Sequence, residues 1–158
     1  MKPIRERKHR LSRKAYVGQL AVSYTKCVQN RKALFTDGII FRTFERILLQ
    51  ELALGDCDAL VYLFMPDHAH LLLLGKSSRA NSLHVVYRFS QKTGFWLSRN
   101  RPQFRWQKDF YDHILRREED IERHVKYILH NPVRRGLVEN WKMYPYKGST
   151  VYDLNQWE

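Results

Sequence analysis

The stretch FMPDHAHLLLLG, residues 64 to 75, carries two histidines one residue apart inside one of the most apolar segments of the chain. In a strand, residues two apart share a face, so His68 and His70 project side by side while Ala69, Leu71 and Leu73 go to the other face and the core. Two protonated imidazoles at that spacing repel each other, and two neutral ones buried without partners are costly. A shared cation relieves both problems. An HxH pair alone is also compatible with two half-exposed strand histidines in ordinary hydrogen bonds. A second cluster lies in EEDIERHVKYILHNPVRRGLV, residues 118 to 138. There Asp120, His124, Tyr127 and Asn131 form one helical stripe, with Tyr127 and Asn131 as i,i+4 neighbours. If that edge overlooks the HxH face, the Asn131 carbonyl oxygen and the two imidazoles make an incomplete ligand set for a divalent ion, with Tyr127 beside a phosphate held there. His124 is a candidate for orienting or deprotonating the phenol, the alternative being a surface histidine without a role. Tyr111 is the alternative nucleophile, although DFYDHIL reads better as a core strand.

The elements that must position these groups alternate. Ala15 to Tyr24 reads as a strand interrupted by Gly18, and Thr36-Asp37-Gly38 caps a helix whose apolar positions Ile40, Phe44, Ile47, Leu48 and Leu52 lead to Gly55. Ala59 to Phe64 and His68 to Leu74 are apolar strands joined by Met65-Pro66-Asp67, an antiparallel hairpin. Asn81-Ser82 caps a helix to about Arg99, Phe110 to Leu115 is a short strand, and Glu118 to Asn131 is a helix with acids in its first turn and Pro132 closing it. Its stripe Ile121, Val125, Ile128 and Leu129 faces the sheet. The order predicts an α+β domain, an antiparallel sheet with helices packed on one or both faces.

Composition narrows the partner. The 158 residues carry 28 Lys and Arg against 16 Asp and Glu, a net charge of +12 that points to a polyanion, nucleic acid first. Residues 1 to 14 form a basic arm, and 15 to 158 read as one domain. From His68 to Lys108 there is no acid, while Lys76, Arg79, Arg88, Lys92, Arg99, Arg101, Arg105 and Lys108 accumulate among aromatics that include Trp106. That mixture suits phosphates and stacked bases, or else a solvated basic helix whose aromatics are core. No apolar run approaches the ~18 residues of a membrane span. The N-terminus lacks a secretion signal's apolar region, and Cys27 and Cys57 lack CxxC spacing, which together suggest a cytoplasmic protein with reduced thiols.

MPDHAHLLL resembles the HUH motif (His, hydrophobic, His) of the single-tyrosine transposases, with their Met-Pro-Asn/Asp-His lead-in. YILHNPVRRGLV is similar to the Tyr-Ile-x-x-Asn-Pro-Val-x-x-Gly signature of their REP-associated branch. WQKDFYDHILRREED resembles the segment before the tyrosine helix, and WKMYPYKGS the branch's closing Trp/Tyr-Pro-x-x-Ser region, so the resemblance spans residues 15 to 150. Ala69, where the motif often has Val, is a minor departure, and the basic arm lies outside the match. The resemblance implies a ferredoxin-like (RRM-like) HUH endonuclease fold, with His68, His70 and Asn131 as ligands of Mg²⁺ or Mn²⁺ and Tyr127 as nucleophile. It implies a metal-dependent single-strand DNA endonuclease and strand transferase in a prokaryotic cytoplasm, associated with the nucleoid. The expected partner is single-stranded or hairpin DNA from palindromic repeats, bound by a monomer or homodimer. The implied 5′-phosphotyrosine keeps the bond activated, because a phenol of pKa about 10 is a better leaving group than a sugar hydroxyl. Two other readings stand beside it: a non-catalytic nucleic-acid-binding protein of ferredoxin-like fold, and a metallohydrolase of small phosphate esters, for which +12 is superfluous.

Overall fold

In a computed structural model describing residues 13–157, Asp37 opens the first helix, α1 (Gly38–Leu54), as its position predicts. Its carboxylate accepts from the backbone N–H groups of Ile39 and Ile40, and Gly55 follows the last turn. Asn81 does the same for α2 (Ser82–Asn100), accepting from the N–H of His84. Strands β2 (Cys57–Met65) and β3 (His68–Gly75) form the expected hairpin. Met65 pairs with His68, so the turn tightens to Pro66-Asp67.

With β1 (Ala21–Cys27), β4 (Tyr111–Leu115) and the two-residue β5 (Lys147–Gly148), the sheet runs β4-β1-β3-β2-β5, every neighbouring pair antiparallel. The first four strands and two helices follow a β-α-β-β-α-β path, which is the ferredoxin-like arrangement. α1 and α2 cover one face, where Val22, Tyr24, Phe64, Leu71 and Leu73 meet Phe44, Leu48, Val86 and Phe89. The other face receives α3 (Glu118–Leu129), whose buried Val125, Ile128 and Leu129 pack against Leu63, Met65 and Leu72. A register shift between Ala59 and Val61 turns both Leu60 and Val61 to that second face.

Two boundaries differ from the sequence reading. The first strand begins at Ala21 rather than Ala15, because Arg13–Tyr16 is a 3-10 turn and Gly18 takes φ 107°. Gly18 approaches so closely that a Cβ on Gly75 would lie 1.9 Å from its carbonyl oxygen. Pro132 does not close the last helix either. α3 ends at Leu129, His130 is the joint, and Asn131–Arg134 continues as a short α4. Proline suits a first helical turn, where its missing N–H would have no partner. The basic arm, apart from Arg13 and Lys14, lies outside the described residues.

Candidate active site

His68, His70 and Asn131 converge. The two Nε2 atoms are 3.1 Å apart, and Asn131 Nδ2 lies 2.9 Å from His70 Nε2 and 3.4 Å from His68 Nε2. Both histidines are buried on the α3 face, as the period of β3 requires. Beyond each ring stands a second partner. Asp67 accepts from His68 Nδ1 at 2.6 Å, which leaves the Nε2 lone pair directed inward, and Thr25 Oγ1 lies 3.2 Å from His70 Nδ1. An octahedral ion with bonds of about 2.1 Å separates adjacent ligands by about 3.0 Å. The spacing of the two Nε2 atoms fits adjacent positions on such an ion, and the Asn131 amide beside them would present Oδ1 after a half-turn. Among the described residues no three His, Cys, Asp or Glu side chains form a metal cluster, so a cation here would have two imidazoles and one amide, the rest of its shell open.

The site is an open cavity of about 240 Å³, lined also by Tyr127, Tyr111, Cys27, Arg31 and Arg135. Arg31 Nε donates to Asp67 Oδ2 at 2.9 Å and its Nη1 lies 3.0 Å from Cys27 Sγ; Arg135 approaches the same Asp67 oxygen at 3.8 Å. Asn30 and Arg31 both take left-handed φ, 60° and 53°. That conformation costs about 1–2 kcal/mol per non-glycine residue and recurs at functional sites. Tyr127 is held by its ring: the Arg134 guanidinium lies 3.8 Å from the ring centroid, and His124 stacks at 6.1 Å. His124 Nε2 is 2.8 Å from Ser23 Oγ, so this side chain braces the ring of Tyr127 while bonding elsewhere. A larger groove of about 580 Å³, lined by Arg116, Arg117, Arg123, His124 and Tyr127, runs along α3 and β4.

Burial lowers the His68 and His70 pKa values, that of His70 well below the ordinary value, so both are neutral donors near pH 7. Asp67 stays below the usual carboxylate range: its bonds to His68 and Arg31 outweigh the upward push of burial. Burial, with His113 nearby, holds His124 down to about 4. An unfolded histidine titrates near 6.5. Above that pH neither state binds the proton. Below it the unfolded chain takes up protons that the folded chain refuses, so stability is full above pH 6.5 and declines toward pH 4. His124 alone should account for about 3 kcal/mol of that decline. Chemical denaturation at pH 7 and 4.5 checks this, and His124→Gln should flatten the difference.

The nine residues expected to bind DNA are not gathered around this site. α2 packs on the opposite face of the sheet, so Arg88, Lys92 and Arg99 stand on the far side from the histidines. Lys92 is engaged in an ion pair with buried Glu51. Trp106 is partly buried: its indole N–H donates to Thr93 Oγ1 at 2.8 Å, its ring packs with Phe35, Phe44 and Phe89, and it lines a cavity at the α2–β4 connection. Phe95, 63% exposed, and Tyr87, 43%, are exposed aromatics of α2. Lys76 and Arg79 are exposed beyond β3, and Arg101, Arg105 and Lys108 belong to the α2–β4 connection. The sequence reading missed the arginines around Tyr127. Arg135 follows Asn131 by four and Arg134 follows Tyr127 by seven, helical spacings that carried the signal.

No protein-family model matches the chain. It is 33% identical over 93 residues to a Haemophilus influenzae protein described as a REP-associated tyrosine transposase, a match covering 52% of this chain. The chain spans about half the length of that relative, 53%. Its fold is similar to that of a REP-associated tyrosine transposase solved bound to a REP hairpin, with TM-score 0.75 and 18% identity over 89% of this chain and 81% of that one. A Deinococcus radiodurans protein described as a transposase aligns with TM-score 0.52 and 16% identity over 79% of this chain and 96% of that one. The chain is thus similar in sequence to one REP-associated tyrosine transposase and shares the fold of another.

Proposed function

We propose that this protein is a metal-dependent single-strand DNA endonuclease and strand transferase of the transposase type, acting through Tyr127 on hairpin-forming DNA. The observation that carries the reading is the convergence of His68, His70, Asn131 and Tyr127 on one arginine-rimmed cavity. The described names of the relatives and the hairpin bound to one of them agree with it. On this reading the protein works in a bacterial cytoplasm, on chromosomal DNA.

His68, His70 and the Asn131 oxygen would hold Mg²⁺ or Mn²⁺, which when bound supplies Lewis-acid polarisation of a phosphate oxygen. Tyr127 Oη attacks phosphorus in line, the bond to the 3′ oxygen breaks, and the phenolic proton passes to solvent as the strand leaves with a free 3′-hydroxyl. Arg31 and Arg135 meet the strand's phosphates at the cavity rim, and the Arg116–Arg117–Arg123 groove carries it along α3. Attack of a 3′-hydroxyl on the phosphotyrosine reverses the exchange and joins a new strand without ATP. Asp67 keeps the His68 Nε2 lone pair directed inward, so Asp67→Asn should weaken Mn²⁺ binding about 10- to 100-fold, read by calorimetric titration.

Incubating the protein with single-stranded hairpin DNA and Mg²⁺ or Mn²⁺, then separating under denaturing conditions, tests the reading. A protein–DNA adduct that chelator prevents is expected. Tight binding without cleavage would favour a non-catalytic nucleic-acid-binding protein. Affinity should also fall with salt: six neutralised phosphates on a single strand give a log–log slope of about −4. Binding measured across a salt series checks this, and Arg116→Glu and Arg123→Glu should each reduce the slope by about 0.7.

A further inference from the structure

The α2–β4 connection leaves a cavity of about 440 Å³ on the face of the sheet away from the histidines, within the roughly 300–1,000 Å³ of small-ligand sites. Its inner wall holds Lys26, 2% exposed, whose ammonium lies 4.8 Å from the centroid of Trp106 and 5.3 Å from that of Phe110. Phe104 forms a side, and Arg105 and Lys108 stand exposed at the rim. Neither rim cation joins an ion pair among the described residues, and there the side-chain amides of Gln91 and Gln107, which also line the cavity, make no hydrogen bond.

Gly94 makes the cavity informative. Glycine inside a helix is destabilising relative to alanine, and a close neighbour or an unusual backbone angle is the ordinary structural reason for one. Here a Cβ would meet nothing within 4 Å, and φ is not positive. The fold does not need this glycine. What its missing side chain does is keep the α2 wall open, in the row Ser90, Gly94, Ser98. The two serine hydroxyls donate to their own helix, Ser90 to Val86 O and Ser98 to Phe95 O, each at 2.6 Å. Their remaining lone pairs stay available as acceptors.

We propose that this cavity receives one unpaired nucleotide of the bound DNA, its base against Phe104 and the Gln91 and Gln107 amides, its phosphate on Arg105 and Lys108. An aromatic side, free amides and a cationic rim are together the complement of a nucleotide. The proposal rests on the DNA-binding part of the reading above. β1 ties the two sites together: Thr25 and Cys27 line the catalytic cavity, and Lys26 between them lines this one. A nucleotide captured here anchors the strand at a fixed distance from Tyr127.

The test is an abasic scan of a hairpin DNA with a single-stranded flank, one position at a time, against wild type, Gly94→Leu and Gly94→Ala. Wild type should show one unpaired position where removing the base weakens binding about tenfold, in the range of one lost stacking contact. Gly94→Leu should bind intact DNA about tenfold more weakly, be insensitive at that same position, and melt no lower than wild type. Gly94→Ala should shift the same way by about threefold, which carries the test should the leucine variant fold poorly. Unchanged affinity and an unchanged abasic profile in both variants would overturn the proposal. So would Gly94-dependent binding of a free deoxynucleoside monophosphate with a flat abasic profile, which would make this a site for a free nucleotide. A Gly94-dependent profile in a protein that forms no Tyr127 adduct would remove the cleavage reading and leave this site standing.

Discussion

Tyr127→Phe is expected to bind hairpin DNA with wild-type affinity and to form no covalent adduct, with cleavage down at least about 10³-fold. The substitution removes one oxygen and little volume. The ring keeps its place because what holds it, the Arg134 guanidinium at 3.8 Å and the stacked His124, engages the aromatic face. Losing the phenol oxygen while keeping the arginines should therefore separate binding from chemistry. Filter binding and denaturing electrophoresis on the same preparation check it. Cleavage retained by the Phe variant would move the nucleophile to water or to Tyr111, which also lines the cavity from β4, opposite Thr25.

The second large effect concerns the imidazoles. His68→Ala with His70→Ala should reduce cleavage at least about 100-fold and abolish stoichiometric Mn²⁺ binding, because both imidazoles that face the cavity are lost. Single variants should retain part of the activity when Mn²⁺ is raised. Calorimetric titration of Mn²⁺ gives a readout independent of catalysis, and a melting curve separates loss of the ion from loss of the fold. Mn²⁺ binding that survives the double substitution would contradict the assignment of these residues as ligands.

What the sequence made legible followed from local periodicity. The alternation of β3 put His68 and His70 on one face and Leu71 and Leu73 on the other, and Asp37 and Asn81 marked helix starts as caps do. The stripe Val125, Ile128 and Leu129 announced which side of α3 meets the sheet, and Tyr127 and Asn131 fell beside it. Charge along the chain was less informative, because a run of basic residues does not say which face of a sheet its helix will cover. α2 took Arg88, Lys92 and Arg99 away from the histidines, and Trp106 packs, partly buried, against the core. The supports of the site were hidden for a related reason. Thr25 meets His70 across the β1–β3 pairing, and Arg31 reaches Asp67 only through a left-handed turn. Such contacts depend on register and on φ, neither of which composition or periodicity specifies.

On the proposed reading one phenol becomes covalently joined to DNA. Wild-type protein incubated with hairpin DNA and Mn²⁺, digested with protease and nuclease and analysed by tandem mass spectrometry, tests it directly. A single nucleotide-modified peptide is expected, with a 5′-phosphate ester on Tyr127. A modified Tyr111, or complete cleavage with no modified tyrosine at all, would contradict it.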